Sequence, residues 1–98
     1  MVNEDNFDRE VDEILNELRD MLLRKHSDYG EENLKVHGLY GILVRMDDKM
    51  ARLSNLIGKE HDPKVDESIS DTFRDIAGYS VQALRMLGNG ELDESDDA

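Results

Sequence analysis

Apolar residues recur at the 3.6-residue spacing of an α-helix in three separate segments of this chain, and no segment shows the alternation that a half-buried strand would need. In the first segment Phe7, Val11, Ile14, Leu15, Leu18, Met21 and Leu22 share one side while Glu10, Glu13, Glu17 and Asp20 take the other. This predicts a helix from about Asn6 to His26, capped by Asp5 or Asn6. The second stripe, Leu39, Ile42, Met46, Met50, Leu53, Leu56 and Ile57, predicts a helix from about Leu39 to Ile57 with Gly58 as its stop. The third runs from Val65 or Asp66 to Leu87 and ends at Gly88-Asn89-Gly90. Between them, Ser27 to Gly38 loses the periodicity and reads as a loop with a short turn over Glu32 to Val36, and Lys59 to Asp66 holds the only proline, Pro63. The expectation is an all-α domain over residues 1–90, a small antiparallel bundle of three long helices plus a short turn, followed by a disordered, dispensable acidic tail over 91–98. Met21, Met46, Met50 and Met86 read as core filler rather than as a binding surface.

Charge narrows the choice of partner. The 98 residues carry 24 acidic against 12 basic side chains, a formal net charge of −12, and no basic cluster longer than Arg24-Lys25, which disfavours nucleic-acid backbones and anionic membranes. Asp outnumbers Glu, 14 to 10, and Arg outnumbers Lys, 7 to 5, a composition that suits a protein kept soluble in high salt. Without cysteine there is no disulfide or thiol chemistry, and no segment resembles a signal peptide or a membrane span, so the expected compartment is the cytoplasm. A chain this short buries a modest share of its surface, which predicts a homodimer or higher homo-oligomer.

Two charged stripes stand out against this background. Glu67, Asp71 and Asp75 lie four residues apart on the third helix with Gly78 and Gln82 on the same stripe, while Ile69, Phe73, Ile76, Ala77, Leu84 and Leu87 fall opposite. The acidic stripe is therefore expected to face away from the helix's own core. Carboxylates at that spacing repel by roughly 0.2–0.5 kcal/mol per pair, and only Arg74 lies near enough to relieve them locally. On the second helix Arg45, Asp48, Lys49 and Arg52 form a second stripe, three cations around one acid. Arginine offers phosphate a bidentate fork and lysine a point charge, so this stripe can serve phosphate, or it can simply pair with a neighbouring acidic helix. If the two stripes face each other, Mg²⁺ and a polyphosphate fit between them, since Mg²⁺ commonly takes one or two carboxylates plus substrate phosphates.

The loop adds Tyr29, able to stack on a base, and Asn33, able to bond a base edge, although Asp-Tyr-Gly sequences often only make turns. His26, His37 and His61 lack the spacing of a zinc site and receive no metal role. No glycine-rich phosphate loop precedes a helix.

Four ordered blocks resemble a known family: Lys25-x-x-Asp28-Tyr29-Gly30, Gly38-x-x-Gly41, Arg45-x-x-Asp48-Lys49-x-x-Arg52-Leu53-x-x-Leu56, and Glu67-Ser68-x-x-Asp71-Thr72-x-x-Asp75-x-x-Gly78-Tyr79. Over residues 22 to 85 they are similar to the nucleotide modification associated domain, type 1, viewed as a divergent branch of the all-α nucleoside triphosphate pyrophosphatases of the MazG and dimeric dUTPase group. The resemblance implies a helical, usually dimeric domain that binds Mg²⁺, or Mn²⁺, through helix carboxylates and cleaves a nucleoside triphosphate to monophosphate and pyrophosphate. By position it implies Glu67, Asp71 and Asp75 as metal ligands and Lys49 and Arg52 on the phosphates. Asp48 joins the metal candidates, and Arg45, Tyr29, Asn33 and Tyr79 the substrate-binding ones, with Asp71, Asp75 and Lys49 as the catalytic set. The chain departs from the wider group in offering only Asp47 and Asp48 on its second helix and Ser68, not Glu, three residues before Asp71.

The functional expectation is a Mg²⁺-dependent nucleotide pyrophosphohydrolase of nucleotide-pool or modified-nucleotide metabolism, of a kind common in phages. The alternative is a non-catalytic acidic helical protein, either a nucleotide binder or a DNA mimic. A mimic has no use for the stripe of Arg45, Lys49 and Arg52.

Overall fold

The computed structural model describes residues 4–29, 37–59 and 62–90. They form three α-helices, α1 (Glu4–Tyr29), α2 (Gly38–Ile57) and α3 (Pro63–Gly88), with no strand among the described residues, so the chain is all-α as its periodicity predicts. The expected turn over Glu32 to Val36, with Asn33, and the tail from Glu91 lie outside the described residues. None of the described helices is long and apolar enough to cross a membrane. The chain divides into two units, one carrying α1 and the other α2 and α3.

α1 extends through Ser27, Asp28 and Tyr29, which the sequence reading assigned to the loop. Each of these residues lowers helix propensity by only a few tenths of a kcal/mol, too little to end a helix already propagating. On its outer face Arg9 reaches Asn6 at 3.1 Å and Glu13 at 3.9 Å, exposed contacts of small worth. Leu18, Met21 and Leu22 are half-buried, whereas Phe7, Ile14 and Leu15 of the same stripe are more than half exposed.

The start of α2 explains the Gly38-x-x-Gly41 spacing. Gly38 takes a φ of +61°, which side-chain-bearing residues rarely adopt. Three residues on, the Gly41 N–H donates to the His37 carbonyl at 3.1 Å, and a Cβ at Gly41 would run into the His37 side chain. That motif therefore has a structural origin. α3 begins at Pro63, earlier than the apolar repeat suggested, because Asp62 caps it by accepting the Val65 N–H at 2.9 Å while Pro63 occupies the first turn, where its missing N–H costs nothing. Replacing Asp62 with Ala should cost about 1 kcal/mol, read as a lower urea midpoint at unchanged denaturant slope.

A five-residue connection, from Gly58 to Asp62, separates α2 from α3, and a link that short makes the pair an antiparallel hairpin. The two helices pack on each other, and the residues buried on them are Ile42 and Leu53 of α2 and Thr72, Gly78 and Met86 of α3. Thr72 is buried at no polar cost, since its hydroxyl donates to the Ser68 carbonyl at 2.7 Å.

This arrangement corrects the expected orientation of α3. Gly78, placed on the outward acidic stripe, is buried, and Asp75 keeps only 24% of its side chain exposed, while Phe73 (53%) and Leu84 (67%), expected inside, face out. α3 is rotated by roughly a quarter turn, about one residue's 100° step, from the orientation its apolar stripe implied. Small side chains at Ser68, Thr72 and Gly78 give α2 a shallow surface to approach, and an ion pair across the seam satisfies the one carboxylate that comes with it. Among the methionines, Met86 is core as expected, but Met50 is 54% exposed and fills no gap.

Helix phase sorts the remaining residues onto two sides of the hairpin. One side carries Arg45, Asp48, Lys49 and Arg52 of α2 beside Glu67, Asp71, Asp75 and Gln82 of α3. The other carries Leu43, Met50 and Ile57 beside Phe73, Leu84 and Leu87, each about half exposed or more.

Candidate functional site

The charged side of the hairpin is organised by one contact. Lys49 Nζ of α2 lies 3.1 Å from Asp75 Oδ2 of α3, with 31% and 24% of the two side chains exposed. Because antiparallel helices advance by the same 1.5 Å per residue, this bridge sets the register along the seam. Arg52 falls level with Asp71 and Thr72, and Arg45 level with Gly78 and Tyr79. The cationic stripe thus runs beside the acidic one in opposite chain direction, which is the facing arrangement that the sequence allowed.

The carboxylates differ in their surroundings. Asp75 is half-buried in the seam and bridged to Lys49, whereas Asp71 is 65% exposed and held by Arg74 of its own helix at 3.1 Å. Glu67 is exposed at the connection end of α3, and Asp48 is exposed on α2. Arg45 and Tyr79 are half-buried and Arg52 is exposed, and no ion pair joins Arg45 or Arg52 to a carboxylate among the described residues. Tyr29 is the last residue of α1, in the other unit. One residue the sequence reading passed over is Arg85, whose guanidinium donates to the Gln82 side-chain oxygen and extends the polar side toward the end of α3. Its phase, three and seven residues beyond Gln82 and Gly78, was the available signal.

These residues fit one mode of metal binding and not another. Among the described residues no three His, Cys, Asp or Glu side chains converge into a group that could hold a metal, so Glu67, Asp71, Asp75 and Asp48 do not make a closed protein cage. Asp71 and Asp75, four apart on one helix face, do match the one or two carboxylates that Mg²⁺ takes from a protein when phosphates and water complete its shell. The donor chemistry, hard oxygen throughout, suits Mg²⁺ or Mn²⁺ and not a soft ion.

No curated protein and no solved structure matches this chain. A family model does match: that of nucleotide modification associated domain 1 aligns with residues 25–87, a span holding α2, nearly all of α3 and every candidate named above. On that match the chain belongs to the nucleotide modification associated domain 1 family.

Proposed function

We propose that the charged side of the α2–α3 hairpin binds the phosphates of a nucleoside triphosphate, and that the domain is a Mg²⁺-dependent pyrophosphohydrolase of MazG-like kind that releases monophosphate and pyrophosphate. The observation that carries this reading is the cationic stripe aligned beside the carboxylate row and joined to it at Lys49 and Asp75. In a chain of net charge −12, three cations gathered against three acids form a place where a polyanion and its counter-ion are both accommodated. Membership in a family named for nucleotide modification supports the substrate class.

The roles follow from position. Asp71 and Asp75 present their oxygens on one face and would hold the divalent cation, with Glu67 and Asp48 at its margin. When bound, that ion neutralises the triphosphate and supplies an activated water. Lys49 and Arg52 would take up the charge that grows on the leaving pyrophosphate, the kind of electrostatic help worth roughly 10²–10³ in rate per group. Arg45 and Tyr79 lie one to two turns along the seam, where a sugar or base would sit, while the base contacts expected of Tyr29 and Asn33 rest on the sequence alone.

Replacing Lys49 or Arg52 with Ala should weaken equilibrium binding of a non-hydrolysable α,β-methylene nucleoside triphosphate by at least about tenfold, one protein–phosphate contact's worth. Far-UV circular dichroism should hardly change for Arg52→Ala, since Arg52 is exposed and exposed charges contribute only about 0–1 kcal/mol to stability, whereas Lys49→Ala should also lose some stability because it strips the half-buried seam of its bridge to Asp75. Loss of stability with unaltered nucleotide affinity would instead make the stripe a structural salt-bridge ladder.

A nucleotide-binding domain that does not hydrolyse is the second reading, favoured by the lack of a three-carboxylate group among the described residues. The apolar side of the hairpin, with Leu43, Met50, Ile57, Phe73, Leu84 and Leu87 uncovered, supports assembly as a homodimer.

A further inference from the structure

Asp75 is assigned two incompatible tasks at the proposed site. Its carboxylate is bridged to Lys49 at 3.1 Å in the half-buried seam, yet the proposed reading also needs that carboxylate for a divalent cation and that ammonium for phosphate. An ammonium at this distance and a metal ion cannot share one carboxylate without strong repulsion, and the low exposure of the pair, 31% and 24%, keeps water from screening it away. We propose that Lys49 and the divalent cation are alternative partners of Asp75, so that the domain takes up metal effectively only together with the phosphates that draw Lys49 off. This rests on the nucleotide-site reading above and adds the order of events within it.

Three features support the exchange. Lysine is a flexible point charge on a four-carbon stem, able to swing from a carboxylate to a nearby phosphate without moving its helix, as an arginine fork held in bidentate geometry could not. Arg52, one turn further along the same stripe, is exposed and level with Asp71, so phosphate arriving there would lie within reach of Lys49 as well. Asp71, the second carboxylate, is itself engaged by Arg74 at 3.1 Å, so no carboxylate of this pair stands ready for a metal in the unliganded state. Metal and nucleotide are thereby coupled, and the coupling is reciprocal: each raises the affinity of the other by the same factor.

The test measures Mn²⁺ binding to the full chain by loss of the free-ion electron paramagnetic resonance signal, with no nucleotide present. The wild type should bind weakly. Lys49→Met, which removes the Lys49 bridge from Asp75 while keeping the side chain's length, should bind Mn²⁺ at least about fivefold more tightly, the lower end of ordinary coupling factors, and adding Asp75→Asn should remove that gain. Arg52→Met, which removes the same charge from the stripe but not from Asp75, should tighten Mn²⁺ much less. Circular dichroism confirms that each variant is helical, and Lys49→Gln replaces Lys49→Met should the latter fail to fold. Equal Mn²⁺ affinity in wild type and Lys49→Met overturns the exchange while leaving a metal site standing, and so does equal tightening by Arg52→Met. Absence of Mn²⁺ binding in every variant up to millimolar concentration overturns the carboxylate reading itself and the exchange with it.

Discussion

Replacing Asp71 with Asn should lower Mg²⁺-dependent pyrophosphate release from a nucleoside triphosphate by about 10²-fold or more, while leaving the helices in place. The expected rate loss reflects a carboxylate that acts on the phosphates through the cation it holds, where removing one well-placed electrostatic partner commonly costs 10²–10³. The expected structural silence reflects its surroundings: Asp71 is 65% exposed and its bond to Arg74 lies within one helix, a contact contributing about 0–1 kcal/mol. Asp75→Asn should lose activity to a similar degree but also some stability, because it strips the seam of the bridge to Lys49. The contrast between the two is informative. Steady-state rates together with urea denaturation of both variants check it, and an Asp71→Asn protein with more than about a tenth of wild-type activity would remove that residue from the catalytic set.

The second large effect concerns the apolar side. Ile42, Leu53 and Met86 are the buried hydrophobic core among the described residues, a small core for the hairpin to stand on alone, while Leu43, Met50, Ile57, Phe73, Leu84 and Leu87 stay uncovered. If a second copy covers that side, Met50→Glu combined with Leu84→Glu should halve the mass seen by sedimentation velocity at micromolar concentration. It should also lower the melting temperature by about 10 °C or more, since each kcal/mol is worth roughly 4–8 °C in a domain of this size. A wild type that already sediments as a monomer, with unchanged melting in the double variant, would rule out the dimer.

What could be read from the sequence divides along physical lines. Three helices were legible because each carries a long apolar repeat, and their ends were legible wherever a helix-breaking glycine or a cap supplied the signal, as at Gly58. Asp62-Pro63 was an equally clear start signal, but the apolar repeat from Val65 onward masked it. The facing of α3 was misread for a different reason. A single sequence suggests that the most apolar face is inside, which selects Phe73 and Leu84, whereas the helix–helix contact selects the surface that allows close approach, here Ser68, Thr72 and Gly78. That preference depends on the partner helix and is not contained in the periodicity of α3. The charged site was more legible than the core, since the i, i+4 spacing of each stripe fixes its own geometry and charge complementarity suggested that they meet. The pairing of Lys49 specifically with Asp75 needed the register of the hairpin. Asn33 lies outside the described residues and Tyr29 ends α1, so their expected contacts with a base rest on the sequence.

The most direct test of the central claim is to incubate the purified protein with each common ribo- and deoxyribonucleoside triphosphate in the presence of Mg²⁺ and to assay for pyrophosphate and the matching monophosphate. The account predicts equimolar release of the two from at least one nucleotide, abolished by EDTA and reduced about 10²-fold or more in Asp71→Asn. Orthophosphate in place of pyrophosphate, or no product from any nucleotide under conditions where the α,β-methylene analogue binds, would contradict it.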